Sequence, residues 1–178
     1  MNKLKHIILL LVVVLVSSSF TRAPSETGKP EPFLFKINRN PDADEVWYMV
    51  NLNSSGLPDD DHPIQVFWVR KSKNGETEPL TWIQNKYGYG VRVIQSYSKK
   101  YKTLKFRIVA YDALTIEVRR SAVGEYKAFT NIENREIEIN RLFVQFEGSS
   151  QWFPKVSYVK LFGYDATSFN LVAQTITP

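Results

Sequence analysis

The 178-residue chain carries 23 Lys and Arg against 18 Asp and Glu, a formal net charge of +5, with 43% hydrophobic residues, two histidines and no cysteine. Without cysteine there is no disulfide, no thiolate metal ligand and no lipid acceptor; with His62 as the one histidine beyond His6, a Ser-His-Asp machine would have to use His62 and finds no Gly-x-Ser-x-Gly elbow to present its serine, and a multi-imidazole zinc centre lacks its ligands. Lys3, Lys5 and Arg22 fall in a segment expected to be removed, and the remaining charge of about +2 is too small and too spread to bind nucleic acid.

Met1 to His6 is short and basic, Ile7 to Val16 is an unbroken apolar run, and Ser17-Ser18-Ser19 follows. That order reads as a secretory signal peptide over residues 1–23, cleaved between Ser18 and Ala23. Spanning a bilayer takes about 20 apolar residues, so the run is too short and the mature protein is expected to lack a transmembrane helix. Residues 24–32, with prolines and few apolar side chains, read as a flexible leader. Residues 33–178 form a single domain, large enough to bury roughly 70% of its unfolded surface.

Alternating apolar and polar residues predict strands over Phe33–Arg39, Glu45–Leu52, Ile64–Lys71, Val91–Tyr97, Leu104–Ile108, Leu114–Arg119, Glu125–Thr130, Glu136–Phe146, Lys155–Phe162 and Asn170–Ile176. Turn residues separate them, as in Asn53-Ser54-Ser55-Gly56, Asn74-Gly75 and Tyr111-Asp112-Ala113. Short connections imply antiparallel pairing. In Glu136–Phe146 the apolar phase shifts from Ile137 and Ile139 to Leu142, Val144 and Phe146, which predicts a bulge near Asn140 and Arg141. Val46–Val50 and Ile64–Val69 are apolar on both faces, so a second layer must cover them. One helix, about 79–88, has Pro79 in its first turn, Leu80, Ile83 and Tyr87 on one stripe, and Gly88 at its end; it is a candidate for that cover. The fold class is therefore mostly β, an antiparallel β-sandwich or up-and-down barrel of about 8–10 strands with one short helix.

Few residues point to chemistry. Asp59-Asp60-Asp61-His62 suits a solvated turn or a weak cation site, with spacing wrong for an EF-hand. A glycan-cleaving carboxylate pair needs two acids about 5 to 9.5 Å apart, and nothing in the linear order favours any pair. Arg119-Arg120 and Lys99-Lys100-Tyr101-Lys102 suit an anion site or, more simply, the protection of strand edges. Trp82 to Arg92 joins three aromatics, two glycines and two cations. There Lys86, Tyr87, Tyr89 and Arg92 form a candidate ligand-binding rim; in the plainer reading the glycines end a helix and the tyrosines pack over the core.

The chain from about Phe33 to Pro178 resembles domain of unknown function 4833, a family of uncharacterised exported bacterial proteins. The resemblance is carried by Tyr48-Met49-Val50-Asn51-Leu52 with Gly56 after it, Pro63-Ile64-Gln65-Val66-Phe67-Trp68-Val69, Ile83-Gln84-Asn85-Lys86-Tyr87-Gly88-Tyr89-Gly90, and Pro154 to Gly163. It implies an exported β domain and carries over no catalytic or binding residue.

The function expected is that of an exported, non-catalytic envelope or periplasmic domain that binds a partner protein or small ligand, with no cofactor. The alternative is a carboxylate-dependent enzyme acting on a glycan or envelope polymer.

Overall fold

The computed structural model describes residues 32–40, 42–98, 100–147 and 155–176. The expected signal peptide, and the leader up to residue 31, lie outside the described residues. The strands are β1 (Phe33–Arg39), β2 (Glu45–Val50), β3 (Ile64–Arg70), β4 (Glu76–Pro79), β5 (Val91–Gln95), β6 (Thr103–Ile108), β7 (Tyr111–Arg120), β8 (Tyr126–Ile132), β9 (Arg135–Glu147), β10 (Lys155–Asp165) and β11 (Leu171–Ile176). Among the described residues a single α-helix, α1 (Trp82–Tyr87), lies between β4 and β5, and a 3-10 turn at Lys71–Lys73 links β3 to β4.

All eleven strands belong to one sheet, ordered β4-β3-β2-β1-β9-β8-β7-β6-β5, with β10 and β11 branching from β9. The sheet curls into an open half-barrel, a mostly β fold with one short helix as the sequence predicts. β4 and β5 are the two ends of the strand path, so α1 joins one edge of the curl to the other.

β9 makes the branching possible. Its first half pairs with β8, from Arg135 opposite Ile132 to Glu138 opposite Phe129. Its second half pairs with β1, from Arg141 opposite Lys36 to Val144 opposite Arg39. Against β10 the register slips at the changeover: Ile139 faces Gly163 and Arg141 faces Phe162, which leaves Asn140 as the extra residue. This is the predicted bulge. The inserted residue reverses which side chains face inward, so Ile137 and Ile139 before it and Leu142 after it all reach the core.

Pairing of β1 with β9 is parallel, a correction to the all-antiparallel expectation. Short loops restrict only strands adjacent in sequence, and β1 and β9 have seven strands between them, room for any crossover. β4 is a further strand beyond those expected; its Glu-Thr-Glu-Pro sequence lacks the apolar alternation of a strand, and it is held to β3 by the backbone ladder and by the Arg70–Glu78 ion pair.

One core fills the curl. Phe35 stacks on Tyr48 with centroids 4.6 Å apart, and on Phe106 at 6.5 Å, so β1 and β2 meet β6 across the concave side. Trp68, Leu104, Ile116, Ile137 and Leu161 are fully enclosed. Each such side chain contributes about 1.5–3 kcal/mol relative to exposure. Away from α1, the Tyr126 hydroxyl donates to the Gly56 carbonyl at 3.1 Å, tying the β2–β3 loop to β8.

The second apolar face of β2 and β3 is not covered by the helix, contrary to expectation. α1 buries none of its residues, and only Leu80, before the helix begins, packs on the core. The outer aromatics cover one another: Phe33 meets Trp47 edge-on at 5.0 Å, Trp47 lies 6.5 Å from Phe67, and the Lys71 ammonium sits 5.8 Å from the Trp47 ring.

Candidate functional site

A helix of six residues is too short to be stable by itself, so its orientation depends on its ends. Thr81, rather than Pro79, starts it, because Pro79 still belongs to β4. The Thr81 hydroxyl accepts the Gln84 amide at 3.3 Å, and the Gln84 side-chain oxygen accepts the Thr81 amide at 3.0 Å, a capping box. The same Gln84 oxygen accepts the indole N–H of buried Trp68 at 3.1 Å, bolting the helix to β3. At the other end the Gly88 and Tyr89 amides both donate to the Gln84 carbonyl. Gly90 passes so close to the Asn85 carbonyl that a Cβ there would collide with it.

Held this way, α1 turns its large side chains outward. Trp82, Ile83 and Tyr87 are 68%, 62% and 62% exposed. Trp82 and Tyr87 meet edge to face at 6.1 Å and 90°, and the Lys86 ammonium lies 4.8 Å from the Trp82 ring and 5.1 Å from the Tyr87 ring. The result is a fixed apolar surface carrying one positive charge.

Of the four residues predicted to form a rim, Lys86 and Tyr87 come together on this surface. Tyr89 turns inward and plugs the end of the curl next to α1. It meets Trp68 edge-on at 5.4 Å, its hydroxyl accepts from Arg39 at 3.1 Å, and its carbonyl accepts the Tyr48 hydroxyl at 2.6 Å. Burial pushes the Tyr48 phenol well above its usual range, so it stays neutral and able to donate. Arg92 stands exposed on β5, opposite Arg107 of β6. Trp82, not among the expected rim residues, belongs to this surface, and Ile83, expected on the stripe of a covering helix, faces solvent instead. The Thr81-x-x-Gln84 capping box is the sequence signal for the observed helix start.

Beside the plug lies an ion network. Arg39 and Arg70 place their guanidinium carbons 4.5 and 4.6 Å from the Trp68 ring. Arg39 pairs with Asp42 at 2.8 Å, and Arg70 with Asp44 at 3.1 Å and Glu78 at 2.7 Å. Burial works against the charge of Asp44, but hydrogen bonds from Ser72 and Arg70 outweigh it and hold the carboxyl below its ordinary range. Glu45 is held down likewise against burial, by Lys36, Trp47 and Asn38. Glu78, Glu147 and Asp165 are lowered too, by Lys73 and Arg70, by Ser157 and Lys155, and by the Ser168 and Thr167 amides. In the Asp59–Asp61 loop, Asp59 accepts the amides of Asp61 at 3.1 Å and His62 at 2.8 Å, an ordinary Asx turn. Among the described residues no group of three or more acidic or imidazole side chains is placed to hold a metal ion.

The family model described as "Domain of unknown function (DUF4833)" matches residues 35–174. The chain belongs to the DUF4833 family. The DUF4833 match begins within β1, ends within β11, and takes in α1 and the Trp68–Tyr89 plug. No curated protein matches the chain, and no solved structure does. No helix among the described residues is long and apolar enough to cross a membrane.

Proposed function

We propose that this DUF4833 chain is an exported, non-catalytic domain that binds a partner protein through the outer surface of α1. The observation that carries the reading is the exposure of Trp82, Ile83 and Tyr87 on a helix fixed at both ends. A large aromatic left in water costs free energy that a partner recovers, and a surface already rigid loses little entropy on docking. Trp and Tyr are the side chains most often found carrying binding energy, and Lys86 beside them favours a partner with an apolar pocket rimmed by carboxylate.

Export is supported by the basic, apolar and small-residue order of residues 1–23. The non-catalytic reading is supported by the carboxyls. A glycosidase acid must be held protonated, and every described carboxyl with a displaced pKa is displaced downward.

Affinity purification from the envelope of the native host tests this. The wild-type protein should co-purify with one defined protein in stoichiometric amount, and Trp82→Ala/Tyr87→Ala should lose it while folding normally. Equal recovery by wild type and double variant would refute the role of α1.

A further inference from the structure

A second feature lies on the convex side of the sheet, on strands away from α1. The β7–β8 ladder runs from Arg120 opposite Tyr126 to Glu117 opposite Phe129 and stops there. It stops because β7 bulges. Opposite β6, Ile116 faces Phe106 and Tyr111 faces Ile108, so Asp112 to Thr115 occupy the space of one β6 residue. Instead of a ladder bond, the Thr130 hydroxyl donates to the Thr115 carbonyl at 2.9 Å. Between the splayed strands opens a cleft of about 290 Å³, whose lining includes Lys105, Thr115, Glu117, Phe129, Asn131 and Glu136.

The lining is polar and its charges are already balanced. Lys105 lies 3.0 Å from Glu117, and Arg119, beside the cleft, lies 3.4 Å from Glu117 and 2.6 Å from Glu136. Two cations thus face two carboxylates, which gives no net attraction for a strongly charged ligand but many fixed donors and acceptors. Arg119 Nε and Nη2 are shut off from water and serve only to hold Glu117 and Glu136 in place. Some of the remaining capacity is unused. Thr115 Oγ1 accepts from Arg107 at 3.2 Å, which leaves its O–H to donate elsewhere. The Asn131 amide, exposed at the mouth, has no side-chain partner among the described residues.

We propose that this cleft binds one neutral, hydroxyl-rich ring, a pyranose. Its volume is close to the lower limit of about 300 Å³ for small-ligand sites, room for one ring. Adjacent hydroxyls each donate one hydrogen bond and accept another, which suits paired Lys–Glu and Arg–Glu groups held in place beforehand. Phe129, stacked under the Arg119 guanidinium at 4.0 Å, supplies the apolar part of the floor.

The test is amide NMR on the purified protein, titrated with the methyl glycosides of glucose, galactose, mannose and N-acetylglucosamine, with sodium phosphate as the anionic comparison. The expected result is saturable movement of the Thr115 and Asn131 amides with at least one glycoside, at a Kd on the order of 1 mM, little changed by salt. Asn131→Ala should weaken binding about tenfold, the loss of one hydrogen bond, and Thr115→Val should do likewise while Thr115→Ser restores it. A tetrasaccharide of the same sugar binding more tightly than the monomer would make the source a glycan chain; equal affinity would make it a free sugar. The proposal is overturned if no glycoside moves these amides saturably, if binding survives both substitutions, or if phosphate alone binds.

Discussion

The indole N–H of Trp68 donates to the side-chain oxygen of Gln84 across 3.1 Å, and that oxygen also accepts the amide of Thr81. One atom therefore joins the most enclosed side chain of β3 to the first turn of α1, and the exposed aromatics of the helix take their position from it. Gln84→Ala should leave the Trp68 indole unpaired in the core and remove half of the capping box. The expected cost is about 1–3 kcal/mol in urea unfolding, with a loss of slow-exchanging amides at Asn85 and Gly88. An unchanged midpoint would mean that the ends of the helix are fixed some other way.

The opposite result is expected one residue from the cap. Trp82→Ala and Tyr87→Ala remove side chains that are mostly in water, and each should shift stability by no more than about 0.5 kcal/mol. Thermal melts of both variants check this, and a large loss would show that the aromatics hold the fold instead of standing ready for a partner.

Acid stability should depend on Asp44. Its carboxyl is lowered in the folded protein, so its contribution is fully present above the unfolded pKa of about 4 and is lost as the pH falls through the lower folded value. Asp44→Asn should destabilise by about 1–3 kcal/mol at neutral pH, because Arg70 and Ser72 lose their charged acceptor. The gap between the two proteins should narrow as the pH drops below about 4. Unfolding curves between pH 3 and 7 decide it; a gap independent of pH would remove Asp44 from the acid response.

Gly163 faces the β9 bulge, where a Cβ would run into the Glu138 carbonyl oxygen and lie 2.8 Å from the Ile137 side chain. Gly163→Ala should therefore cost about 1–3 kcal/mol through overpacking and shift the β9–β10 register. Denaturant titration with amide exchange on β10 would register both effects; wild-type behaviour would mean that the bulge relaxes freely.

The fold was legible wherever side-chain period reports burial. The phase shift from Ile139 to Leu142 announced the bulge, and β1 came out with the predicted bounds because its inward residues alternate with polar ones. β4 was hidden, since an edge ladder made by Glu76–Pro79 needs no apolar residue. The parallel β1–β9 pair was hidden because register between strands distant in sequence leaves no local trace. At the candidate site, the composition of Trp82–Arg92 drew the eye to the right segment, but a stripe at Leu80, Ile83 and Tyr87 looks the same whether it faces core or solvent. Only the three-dimensional tie between Trp68 and Gln84 decides that Tyr89 turns in and Tyr87 turns out.

The most direct measurement of the central claim places a photo-crosslinking residue at position 82 in the native host and, as a control, at Val123, which is 81% exposed on the β7–β8 turn. The account predicts one discrete adduct from position 82, abolished by Tyr87→Ala in the same chain, and none from position 123. No adduct at 82, or the same adducts from both positions, would contradict it.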